Sequence, residues 1–219
     1  MEIIAIYLAL LIIPLISTLK IDFFLNKYKN KKNKRKLTGC EVAHDILDSN
    51  DLTKVYVVAN RSGINKYYSD RKVIKLADDV FDENTIYSLA IGSLMAHEAL
   101  DDYDKTNKFI HYRDYVYDTV NMGNVLSYIL MIIGIVISSY DLMFIALALL
   151  ILCFAYNALV TGYSRKIIVK TKYDIKLEGY IDKDEINMVN KVLDSFNYIY
   201  FTNMIKCVNR IVDLFIPSN

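Results

Sequence analysis

The chain has almost no net charge, too few cysteines to staple a fold, and three long stretches with no charged residue. Its formal net charge is +1 over 219 residues, so nothing global points to a nucleic-acid partner. Cys40, Cys153 and Cys207 stand apart with no paired spacing. That excludes a disulfide framework and a Cys-rich zinc knuckle, and leaves three reduced thiols. The sequence is 54% hydrophobic yet 23% charged, with a mean hydropathy of +0.23. Such values coexist only when apolar and charged residues are segregated along the chain.

The uncharged stretches are 3–19, 119–140 and 142–164. A membrane-spanning helix needs roughly 17–25 apolar residues, and all three runs reach that length. The chain is too short to enclose helices this long in a soluble core, so the second and third runs read as spans. Asp141 alone separates them, which places it at the tip of a tight helical hairpin. The first run lacks a positive segment before it and a small-residue cleavage site after it, so it reads as an uncleaved anchor rather than a signal peptide. Basic residues follow the first run (Lys27, Lys29, Lys31, Lys32, Lys34, Arg35, Lys36) and the third (Arg165, Lys166, Lys170, Lys172). The positive-inside rule puts both clusters in the cytoplasm, with Asp141 outside. Beside a span, the first cluster reads as a topology signal and a contact for anionic lipid. Residues 195–216 are apolar but carry Lys206, Arg210 and Asp213, which predicts an amphipathic helix on the membrane or against the hairpin, with a fourth span as the alternative.

The segment between the first two spans is expected to fold as a small α+β unit. Thr38 and Glu41 form a capping-box pattern that starts a helix running to about Asp48. Residues 54–58 and 71–76 read as strands joined by a turn-rich stretch. A second helix starts at Asn84 or Thr85 and carries apolar residues at helical spacing through "SLAIGSLMAHEALDDYDK". His97 and Glu98 therefore fall mid-helix in an apolar stretch. His44, on the first helix, reads as a packing or surface residue.

His97-Glu98-Ala99-Leu100-Asp101 has the outline of a zinc-hydrolase helix with Asp101 where a second histidine is expected. Two ligands four residues apart share one helix face, and a glutamate beside the first can take a proton from a metal-bound water. A structural helix carrying a satisfied histidine beside a glutamate would look the same.

Taken in order, the chain resembles the bacterial membrane-bound neutral zinc metallopeptidases of the YugP type. "LTGCEVAHDILDSNDL" is similar to that family's Leu-Thr-Gly-Ala-Glu-Val-Ala segment, and "IGSLMAHEALD" sits where the family has Ala-Ala-His-Glu-Val-Gly-His. Arg113, Asn121, Gly123, Asn124 and Ser127 match the approach to its membrane hairpin. Ser164 and Arg165 match the segment after it. The resemblance implies an α-rich α+β fold: an anchor (1–19), a basic linker (20–36), a small cytoplasmic zincin-like unit (37–118), a transmembrane hairpin (119–164) and carboxy-terminal cytoplasmic or amphipathic helices (165–219). It implies zinc-dependent peptide hydrolysis at a cell membrane, with Glu98 catalytic and His97 and Asp101 on the metal. The departures fall where the chemistry should be. Asp101 replaces the second histidine, Leu100 a glycine, Tyr67 a histidine, and Val160 a glutamate suited to be the third ligand. Restoring a ligand set would need Asp101 with Asp104 or His111; Asp102 points to another face.

Two functions follow from that comparison. One is a catalytically degenerate family member, a pseudoenzyme that binds or scaffolds a membrane-protein or unfolded-peptide partner. The other is an active zinc peptidase using His97, Asp101 and Glu98. A membrane protein with a lipid-binding basic linker and a purely structural helix is a blander third. No nucleic-acid partner is expected in any of these readings.

Overall fold

The computed structural model describes residues 2–103 and 109–206. In chain order the elements are α1 (Glu2–Tyr28), α2 (Gly39–Ser49), β1 (Tyr56–Asn60), β2 (Lys66–Tyr68), β3 (Val73–Ala77), α3 (Asp78–Phe81), α4 (Ile86–Tyr103), α5 (Phe109–Val136), α6 (Tyr140–Leu177) and α7 (Ile186–Phe196). A further helical stretch covers 199–206. The chain divides into two compact units. One holds Met1–Lys20, Tyr115–Gly162 and Tyr198–Asn219; the other holds Ile21–Asp114 and Tyr163–Asn197.

The first unit carries the apolar runs. α1, α5 from Val116 onward and α6 are each long and apolar enough to cross a membrane. Its core gathers Tyr7, Tyr128, Met131, Met143, Leu150, Phe201 and Met204 with their neighbours. Hydroxyls tie the helices where they meet. Tyr7 Oη lies 2.9 Å from Ser127 Oγ, Ser127 Oγ donates to the Ala146 carbonyl at 2.9 Å, and Tyr128 Oη donates to the Met204 carbonyl at 2.6 Å. Such bonds matter in a segment where lipid offers no partner of its own.

The hairpin turn differs from the sequence reading. It lies at 137–139, with Ser138 in the left-handed region at φ 55° and Ser139 N–H bonded to the Gly134 carbonyl at 2.9 Å. Asp141 sits in the first turn of α6 instead, where a carboxylate meets the positive end of the helix dipole. α6 also runs on to Leu177, well past the expected end of the span at Ser164. Of the predicted carboxy-terminal amphipathic helix, 199–206 is helical with Phe201 and Met204 buried, while Arg210 and Asp213 lie outside the described residues.

The second unit is built around α4, whose residues from Ile86 to Asp102 are all buried except Asp101. A helix apolar on every side needs cover on every side, and α2, α3, α7 and two strands supply it. The sheet has the order β1-β3-β2, with β1 parallel and β2 antiparallel to the central β3. Ile74, Leu76 and Tyr67 on one sheet face are fully buried. β2 falls inside the stretch read as a turn from sequence, and it is only three residues long.

Thr38 caps α2 as its sequence predicts. The hydroxyl accepts from Glu41 N–H at 3.1 Å, and Glu41 Oε2 accepts from Thr38 N–H at 2.7 Å. Thr38→Ala should lower the stability of this unit by about 1 kcal/mol, read as faster amide exchange across α2. Where α2 meets α4, the backbones touch. A Cβ on Gly92 would stand 2.2 Å from the Gly39 carbonyl oxygen, and one on Gly39 would stand 2.4 Å from that of Val80. The basic segment after α1 is also folded in. Ile86 N–H bonds to the Lys31 carbonyl at 2.7 Å, the buried Asn33 side chain bridges to Leu37, and Lys34 Nζ pairs with Asp184 at 2.5 Å.

Candidate functional site: a polar cluster at the end of α4

The carboxy-terminal half of α4 presents four ionisable residues in two i, i+4 pairs. His97 and Asp101 share one face; Glu98 and Asp102 share the next. Each of the four meets a partner from another element of the second unit.

His97 is 1% exposed. Its Nδ1–H donates to the Ser93 carbonyl one turn back, at 2.8 Å, and Nε2 lies 3.0 Å from Asp174 Oδ2 on α6. The Ser93 carbonyl can only accept, so the Nδ1 proton faces it. Glu98 Oε2 accepts from Arg113 Nη1 on α5 at 3.0 Å, and both side chains are less than a tenth exposed. The Tyr163 hydroxyl donates to Asp101 in a short contact. Asp102 Oδ2 accepts from Tyr67 Oη at 2.7 Å and from Lys72 Nζ at 2.5 Å. Lys72 holds a left-handed backbone at φ 52°, a conformation non-glycine residues rarely adopt, in the turn that delivers its ammonium to Asp102.

The groups therefore meet in pairs: His97 with Asp174, Arg113 with Glu98, Lys72 with Asp102. Buried carboxylates need such partners, because an uncompensated charge in this environment is expensive. The result is a set of cross-links from α4 to β2, to the turn before β3, and to α5 and α6.

A catalytic zinc takes three protein ligands and keeps a fourth position open. Among the described residues no three His, Cys, Asp or Glu side chains converge to hold a metal ion. His97 Nε2 lies beside Asp174 Oδ2, while Asp101 is turned onto Tyr163. The described donors thus do not fit a three-ligand zinc. Asp104 and the side chain of His111 lie outside the described residues. Tyr67, standing where the resembled family has histidine, uses its hydroxyl on Asp102. Val160, on α6, offers no donor atom.

Three partners escaped the sequence reading. Asp174 stands among the lysines after the third span, and the sequence reading did not single it out. Its signal lies in the buried series Ile167, Ile168, Thr171 and Ile175, which shows that α6 continues inward-facing beyond Ser164. Arg113 is a lone arginine in a polar stretch, and nothing local ties it to Glu98. Tyr163 had been counted within the apolar run.

Three helices are long and apolar enough to cross a membrane, and comparison with known proteins gives the family. Residues 3–218 match the family described as "Putative neutral zinc metallopeptidase", and the chain belongs to that family. It is 25% identical over 182 residues to "Putative membrane protease YugP" of Bacillus subtilis (strain 168), covering 83% of this chain and 80% of that protein. No solved structure matches it significantly. The three apolar helices and this relative's name together support a membrane location.

Proposed function

We propose that this chain is a multi-pass membrane protein in which the peptidase centre of its family has become a closed ion-pair network, and that it acts by binding rather than by cutting. The observation that carries this reading is the Glu98–Arg113 pair. A general base must reach a water and take its proton. Here the glutamate that follows His97 in sequence is buried and held by a guanidinium at 3.0 Å. Asp101, the expected second ligand, is likewise engaged by Tyr163. The partner class in this reading is a membrane-protein segment or an unfolded peptide; the family's description supports only that its substrates are peptides.

The same reading places the second unit in the cytoplasm. Both basic clusters, around Lys31 and around Lys170, belong to that unit. This supports a single side for them under the positive-inside rule.

One observation favours the alternative, an active zinc peptidase using His97, Asp101 and Glu98. A metal-ligating histidine commonly donates its other ring N–H to a backbone carbonyl, as His97 does to Ser93. The alternative requires Arg113 to release Glu98 and Tyr163 to release Asp101. The experiment is turnover of an unfolded protein substrate by the full chain in detergent with added zinc. The binding reading expects the same background for the unsubstituted chain and Glu98→Gln. Zinc-dependent cleavage abolished by Glu98→Gln would establish the alternative.

A further inference from the structure

Three side chains of the first unit carry buried polar atoms with no hydrogen-bond partner among the described residues. They are Asn124 on α5, at both Oδ1 and Nδ2, and on α6 Asn157 at Nδ2 and Thr161 at Oγ1. Asn124 is fully buried and Asn157 is 4% exposed. Helix periodicity places them in the seams between the apolar helices. Asn124 lies one turn before Ser127 and shares its face; the Ser127 hydroxyl meets Tyr7 of α1 and the Ala146 carbonyl of α6. Asn157 lies one turn after Cys153, whose thiol meets the Val120 carbonyl of α5 at 3.6 Å. Thr161 is one turn further on the same face of α6. α1 adds an acceptor, because Pro14 has no N–H to give the Leu10 carbonyl, and Leu10 packs against the same core.

A carboxamide with neither its oxygen nor its nitrogen satisfied is costly in any protein interior. In a segment that crosses lipid, the surrounding tails supply no donor or acceptor to relieve it. We propose that Asn124 and Asn157 bind ordered water inside the α1, α5 and α6 bundle, giving the spanning region a hydrated polar seam. Water fits these groups on three counts. Asn124 needs a donor and an acceptor at once, and a water molecule is both. Residues 119–140 and 142–164 hold no charged side chain, so a bare ion at either carboxamide would go uncompensated within the bilayer. The helices also approach too closely for a larger ligand, since a Cβ on Gly123, beside Asn124, would stand 3.0 Å from Cys153 Sγ. The proposal rests on the apolar helices, not on whether the α4 cluster is catalytic.

The test is water-edited solid-state NMR of the full-length, isotope-labelled protein in bilayers of perdeuterated phosphatidylcholine. It follows magnetisation passing from water protons to N–H groups of the unsubstituted chain. Asn124→Gln and Asn157→Gln, made singly, serve only to assign the two side-chain signals. The Asn124 and Asn157 Nδ2–H signals should build up roughly threefold faster than the backbone N–H of Met131, which is buried in the same core, because bound water would lie within hydrogen-bond reach of them alone. The exposed Asn50 carboxamide sets the fast limit. Build-up at either carboxamide no faster than at Met131 would overturn the proposal. So would a coupling across a hydrogen bond from either Nδ2 to a protein carbonyl, which would show the group to be satisfied by the chain itself.

Discussion

Replacing Arg113 with leucine is expected to destabilise the second unit by about 3–5 kcal/mol, because it leaves the Glu98 carboxylate buried without a counter-charge. Removing the glutamate instead, as Glu98→Leu, should cost a similar amount by stranding the guanidinium. The double substitution Arg113→Leu with Glu98→Leu removes both desolvated charges. It should be far milder than the sum of the two single changes. Since the chain has two units, a single melting curve would mix them. Amide exchange of α4 in the detergent-solubilised full chain isolates the relevant opening. Additive effects in the cycle would mean that Glu98 and Arg113 do not act as a pair.

The second large effect is steric. Gly92→Ala should destabilise the same unit by about 3 kcal/mol or more, since packing faults of this kind cost about 1–3 kcal/mol where neighbours can shift. Here the new methyl would lie 2.2 Å from the Gly39 carbonyl oxygen, and two backbones would have to part. The expected signature is loss of exchange protection in α2 first, because α2 is the helix displaced. Gly162→Ala on α6 serves as the control, as its added Cβ meets nothing within 4 Å. It should be neutral or stabilising by up to about 1 kcal/mol, the helix-propensity difference between the two residues. Equal effects at the two glycines would show that propensity, not the α2–α4 contact, sets the cost at Gly92.

What could be read in advance was local. Thr38 and Glu41 announce the start of α2 because both halves of a capping box lie within four residues of sequence. For α4 the sequence offers Asn84 or Thr85 as the cap, and in the structure Thr85 Oγ1 accepts from Ser88 N–H at 3.0 Å. The apolar runs are legible because lipid-facing helices need continuous hydrophobicity. β2 was missed because three residues carry too short a period to recognise. The hairpin tip was misplaced at Asp141 because charge was taken as the turn signal, whereas the turn is made by the backbone of Ser138 and the carboxylate belongs to a helix start.

The site was legible only as a set of positions. Sequence spacing puts His97 with Asp101 and Glu98 with Asp102, since helix geometry fixes which residues share a face. It says nothing of Asp174, which is 77 residues from His97, or of Arg113 and Tyr163, which arrive from other helices. Those partners decide the chemistry. They turn a helix that resembles a zinc motif into one whose polar groups are each held by a neighbour.

The central claim, that these residues form a closed network rather than a zinc centre, is tested most directly by metal analysis of the full-length protein. The measurement is elemental zinc per chain after purification in detergent and exhaustive dialysis, compared with His97→Ala. The account predicts only trace zinc, equal in the two proteins. One zinc per chain, lost on His97→Ala, would contradict it.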